Sequence, residues 1–265
     1  MNSGGCVRFS RTAADRRFDP TRVVCLSQNV YGMIRACRQA IPATLLAALL
    51  LLAGVSAVLP SAEKEIMGLP EVKKKGSLSV EEAIQSRRTR RDFSDRPLTL
   101  EALAQLLWAA QGVTGKDGRL RTAPSAGALY PLDVYVVVGG HGVEGMNPGV
   151  YHYVPPSHQL ESVASGDLRD GMAAACLGQS WMARAPVSFV VTAEYKRSEI
   201  KYGPRAERYC SIEAGHVGQN IFLQAEALGL AAGIVGAFDD ERLARLLGLP
   251  SSHKPLVVMP VGYRK

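Results

Sequence analysis

The sequence predicts an α+β fold, with a mixed β-sheet covered by helices. Three observations carry that reading. Apolar runs of strand length at 133–138, 187–193 and 255–263 alternate with longer stretches of helical periodicity. Two further short strands, 149–153 and 159–163, stand close enough to form a hairpin. No G-x-G-x-x-G follows a strand, and neither G-x-x-x-x-G-K-S/T nor G-x-S-x-G occurs, so dinucleotide-fold, P-loop and hydrolase readings lose their main support.

The 265 residues suffice for one or two domains with a sizeable core. The net charge of +7 is unevenly spread. Residues 1–40 hold seven arginines and two aspartates, which leaves +2 for the rest. A body so close to neutral offers no nucleic-acid footprint. The five cysteines contain no C-x-x-C, and the five histidines show no metal-ligand spacing, so neither a disulfide framework nor a metal site is expected.

Residues 1–40 lack apolar periodicity and read as a basic, disordered leader. The uncharged run 43–59 follows, flanked by Arg35 and Arg38 on one side and by Glu63, Lys64 and Glu65 on the other. Its length suits a signal-peptide core or a membrane anchor, placed at 41–59. Translation from Met33 instead of Met1 would give a compact leader with small residues, Val55-Ser56-Ala57, at the cleavage region. The expectation is a protein exported to the periplasm or anchored to a membrane through 43–59. Residues 60–76, with Pro60, Gly68, Pro70, Gly76 and the run Lys73-Lys74-Lys75, read as an exposed linker. The body is expected at 77–265.

Within the body, Ser79 followed by Glu82 makes a capping box for a helix over 79–85. That helix runs into Arg87, Arg88, Arg90 and Arg91. Four guanidinium groups in five positions cannot share a core. They form either a solvated basic helix end or a fork for phosphate or carboxylate. Thr99 caps a second helix over 99–110, ended by Gly112 and Gly115. The small residues of 122–131 allow a close backbone approach to a ligand. A helix over 167–177 precedes the buried strand 187–193. A long helix is expected from Pro204 to Leu230, then a short strand within 231–238. Asp239 caps a helix to Leu247, and the last strand is 255–263.

Four of these segments, in this order and spacing, resemble the FMN-dependent nitroreductase superfamily. Within it, the chain looks most like the SagB/ThcOx-type dehydrogenase branch, which includes azoline-oxidising enzymes. The resemblance covers 77–265 and implies a nitroreductase-like fold with bound FMN. By residue match it implies flavin contacts from Arg87, Arg88, Thr89 and Arg91, with Arg90 left on the surface. It implies the same for Pro124, Ser125 and Ala126 beside the ring, Gln179 at the pyrimidine edge, and Val235 and Gly236 along the isoalloxazine. Arg264 and Lys265 match a cationic phosphate contact. Ala128 stands where many nitroreductases carry asparagine, and Tyr130-Pro131 matches the dehydrogenase branch. Lys201-Tyr202 falls where azoline dehydrogenases use a Lys-Tyr pair as base and partner. A homodimer with the flavin between subunits is implied as well. The implied activity is hydride transfer between flavin N5 and a small organic or peptide-derived substrate. An NAD(P)H-dependent nitro or quinone reductase, and a membrane-tethered flavin-binding protein without turnover, remain as alternatives.

Overall fold

The computed structural model describes residues 65–115 and 118–265. The basic leader and the apolar run 43–59 lie outside them. Among the described residues, no helix is long and apolar enough to cross a membrane.

The elements run β1 (Ile66–Gly68), α1 (Val80–Ser86), α2 (Leu100–Gln111), β2 (Leu132–Val138), β3 (Gly149–Val154), β4 (Gln159–Ser165) and α3 (Arg169–Ala175). They continue with β5 (Val187–Ala193), α4 (Lys196–Tyr202), α5 (Ala206–Ala227), β6 (Leu230–Ala232), α6 (Asp240–Leu246) and β7 (Lys254–Tyr263). The strands form one sheet in the order β1-β4-β3-β2-β5-β7-β6.

Every pair of named strands is antiparallel, so the expected mixed sheet is corrected to an antiparallel one. The reason is connectivity. Hairpin neighbours β3 and β4 must oppose, and α5 delivers β6 beside β7 rather than beside β5. Among the described residues, parallel pairing survives only as isolated bridges, Thr89 with Ala232 and Leu98 with Val143.

Helices cover both faces. Leu103, Leu106 and Leu107 of α2 and Val217 and Ile221 of α5 bury against Val134, Val136, Phe189 and Val191. Met172 of α3 and Leu243 of α6 bury against Tyr135, Val137, Val190 and Val258 on the other face. This explains why β5 has no exposed polar face. All seven of its residues are buried, with a helical layer on each side.

The capping signals act as read. Ser79 and Glu82 form a reciprocal capping box, Thr99 accepts from the Ala102 N–H, and Asp239 accepts from the Arg242 N–H. Three boundaries differ. The helix expected over 167–177 spans Arg169–Ala175. The strand expected within 231–238 is only Leu230–Ala232, with Val235 bridging singly to Val258. The long helix begins at Ala206, and a separate helix, α4, precedes it. Gly203 divides the two at φ 52°, ψ −132°, a conformation open essentially to glycine alone. Within the stretch read as linker, Met67 pairs with Leu160 of β4, and the Lys73 N–H donates to Gln105 Oε1 at 2.8 Å. This part is mostly exposed, yet it is tied to the body.

Candidate functional site

Helix α5 sorts the candidate residues into two groups. Successive residues turn by about 100° around a helix. Glu213, Asn220 and Gln224 therefore share one flank, and Gly218, Phe222 and Glu226 share nearly the opposite one.

The second flank faces the arginine segment. The Arg87 guanidinium lies 5.1 Å from the Phe222 ring centroid. Arg264 pairs with Glu226, and its Nε donates to the Leu230 carbonyl at 3.3 Å. Phe93 bridges to Arg264 in backbone pairing, and its ring stacks at 6.2 Å on Trp181. The Arg91 guanidinium lies 5.5 Å from the same Trp181 ring. Trp181 donates to Gln179 Oε1 at 3.3 Å, and Gln179 reaches the carbonyls of Cys176 at 3.1 Å and Ala237 at 3.5 Å. Thr89 runs beside Ala232, and Arg90 N–H donates to the Ala232 carbonyl at 2.8 Å. The structure thus gathers Arg87, Thr89, Arg91, Gln179, Val235, Gly236 and Arg264 along one edge of the sheet.

These residues are not equivalent as anion ligands. Among the described residues, Arg87 and Arg91 have no carboxylate partner, and their charge is available to an added anion. Arg88 folds back, with Nη1 donating at 2.8 Å to the carbonyls of both Gln85 and Arg87, so it caps α1. Arg264 is already balanced by Glu226, and Lys265 is exposed. Arg90, expected on the surface, is half-buried, and its enclosed Nε has no hydrogen-bond partner among the described residues. A buried N–H without an acceptor fits a missing anionic ligand. Gly236 has open space where a side chain would stand. The donor set therefore fits a phosphate-bearing group that lies along an apolar, Trp-lined edge.

The first flank of α5 faces the second group. Thr122 accepts from Asn220 Nδ2 through its carbonyl at 3.2 Å. Glu213, 2% exposed, accepts from Gln111 Nε2 at 3.3 Å. Ser125 Oγ accepts the Tyr130 N–H at 2.9 Å. Arg121 donates to Gln111 Oε1 at 3.3 Å and stacks 4.5 Å from the Tyr130 ring centroid. The loop around Ser125 is strained. Gly127, Ala128 and Tyr130 have φ of 62°, 54° and 47°, and two of these are not glycine.

Lys201 and Tyr202 complete this group. A Cβ on Gly127 would stand 2.7 Å from the Tyr202 hydroxyl and 2.9 Å from Lys201 Nζ. The predicted pair thus rests on Gly127, directly after the predicted Pro124–Ser125–Ala126 segment. Tyr202 packs edge-on against Tyr209 at 4.8 Å, and Lys201 Nζ lies 5.5 Å from the Tyr202 ring centroid. The pair ends helix α4, where the sequence suggested a segment leading into the long helix. Lys201 is exposed, so this chain by itself does not supply the burial that a lysine base needs.

Sequence reasoning missed Trp181, Glu213, Arg121 and Arg197. Trp181 gave no signal. Glu213 did give one, because it falls on the apolar stripe with Cys210, Ala214 and Val217. Burial holds its carboxyl above the ordinary range, while Ser125, Gln111 and Arg121 oppose the rise. A carboxyl raised on folding stabilises the fold while protonated. That contribution is lost as pH rises above its unfolded value. Glu213→Gln keeps an acceptor but cannot ionise. Its melting temperature relative to the wild type is expected to climb between about pH 4 and pH 7. Thermal denaturation across that range checks this; a constant offset would contradict it.

Comparison with known proteins gives one family. The sequence model of the nitroreductase family matches residues 84–263. A nitroreductase-named protein of Methanocaldococcus jannaschii is 39% identical over 194 residues, covering 73% of this chain and 94% of that protein. The microcin B17-processing protein McbC of Escherichia coli is 28% identical over 176 residues, covering 64% of this chain and 65% of its own length. A solved structure of a nitroreductase-named protein from Ralstonia eutropha superposes with TM-score 0.66 at 29% identity, covering 76% of this chain and 90% of that one.

Proposed function

The chain belongs to the nitroreductase family, and on that premise we propose that it is an FMN-dependent oxidoreductase acting on a small organic or peptide-derived substrate. Bound FMN supplies a hydride acceptor and donor at N5. The observation that carries the reading is the pair of groups on opposite flanks of α5. On one flank, Arg87 and Arg91 hold phosphate, and Gln179 with the 235–237 main chain borders the ring. On the other, Ser125–Gly127 and Lys201–Tyr202 stand where a substrate proton can be held or moved. The likeness to a peptide-processing protein supports a peptide-derived substrate.

The two groups straddle the exposed strip of α5, with Arg208, Ile212, Gly215, His216 and Gln219 on it. Ile212 is 50% exposed, and a Cβ on Gly215 would meet nothing within 4 Å. A second copy packed there sets the arginine group of one subunit beside the Lys–Tyr group of the other. It also supplies the burial that Lys201 lacks. The proposal therefore includes a homodimer with a shared site.

Absorbance and light scattering on the protein purified without residues 1–60 test both parts. The expected result is a yellow dimer, bleached anaerobically by a thiazoline-containing peptide and recoloured by oxygen. Bleaching by NADPH and not by the peptide would favour a nitro or quinone reductase. A colourless protein that refuses added FMN would sink the reading, and a monomer that holds FMN would sink the shared site.

A further inference from the structure

We propose that Arg197 is the positioning residue of the Lys201–Tyr202 pair, pinning α4 to strand β2 and to the 124–130 loop at once. The proposal rests on reading that pair as the reacting one.

Helix α4 cannot hold itself. Its seven residues fall short of the length at which an isolated helix persists in water. Tyr195 at its start contributes no side-chain cap. Only Ser198 is buried, and Ile200 is 91% exposed, so no apolar face docks it to the core. Gly203 interrupts its continuity with α5.

Polar contacts do the holding, and Arg197 makes most of them. Its Nη1 lies 2.8 Å from Asp133 Oδ2 on β2 and donates to the Tyr130 carbonyl at 3.4 Å. Its Nε lies 2.6 Å from Glu194 Oε2. One planar guanidinium therefore joins the sheet, the strained loop and the residues just before α4, which a lysine could not do with a single ammonium. The anchor is itself fixed. Asp133 is 12% exposed on its side chain, with His152 Nε2 at 3.0 Å and His253 Nε2 at 3.7 Å. The His253 ring is held in turn by the Tyr135 hydroxyl at 2.8 Å. Arg197 and Lys201 are four residues apart and share a face of α4. Any roll of the helix would shift the Lys201 ammonium away from Gly127.

Amide hydrogen exchange on the full chain tests this without reference to turnover. In Arg197→Gln, amides of 196–202 are expected to exchange about two- to tenfold faster, as the loss of a partly exposed ion-paired anchor implies. Amides of β5 and α5 should keep their rates. Arg197→Lys should fall between, and it carries the test if the glutamine variant does not fold. With FMN bound, Arg197→Gln should retain cofactor affinity and lower kcat for a thiazoline-containing peptide at unchanged KM, with partial recovery in Arg197→Lys. Unchanged exchange at 196–202, or equal acceleration throughout the chain, overturns the proposal. A wild-type protein that the peptide cannot reduce would instead count against the proposed function, and the exchange result would still stand on its own.

Discussion

Lys201→Ala is expected to slow reduction of the bound flavin by a thiazoline-containing peptide by about 10²- to 10⁴-fold, the usual worth of a positioned acid or base. FMN should stay bound, because neither Lys201 nor Tyr202 lies in the arginine group. The fold should stay intact too, since Lys201 is exposed. Tyr202→Phe keeps the edge-on packing with Tyr209 and removes only the hydroxyl beside Gly127. Its rate should fall less. Stopped-flow reduction under anaerobic conditions measures both. Wild-type rates in both variants would remove the pair from the chemistry and leave a simple flavin reductase.

Arg87→Ala and Arg91→Ala are each expected to weaken FMN binding about ten- to hundredfold, from about 1.5–3 kcal/mol per charge-assisted hydrogen bond. Each guanidinium lies against an aromatic ring and has no carboxylate partner among the described residues. Its removal therefore takes away ligand contact without leaving a buried carboxylate exposed. Arg88→Ala should matter much less to FMN, because that side chain is engaged at the end of α1. Fluorescence titration of FMN into the apo variants gives the affinities. If neither alanine variant loses affinity, the cluster is a solvated helix end.

Sequence and structure agree most where local chemistry decides the outcome. The capping box at Ser79, the caps at Thr99 and Asp239, and the largely apolar stretch of β5 are set by residues near one another in the chain. Helix α4 is the opposite case. Lys196–Tyr202 carries no apolar stripe, so periodicity had nothing to detect. Its Arg197 pairs with Asp133, which lies 64 positions away in the chain.

By itself the sequence determined the α+β class and the positions of most helices and strands. It did so because hydrophobic period, caps and turn residues act over a few positions. Only the tertiary structure decided that the sheet is antiparallel, because strand direction follows from how α5 routes the chain between β5 and β6. Only the tertiary structure divided the candidate residues between two flanks of α5 and set Lys201 and Tyr202 on Gly127. It also told Arg91, free to meet an anion, from Arg88, folded back on its own helix. Those distinctions rest on long-range contacts among side chains of the same type, and adjacent arginines in a sequence carry no mark of which way each will turn.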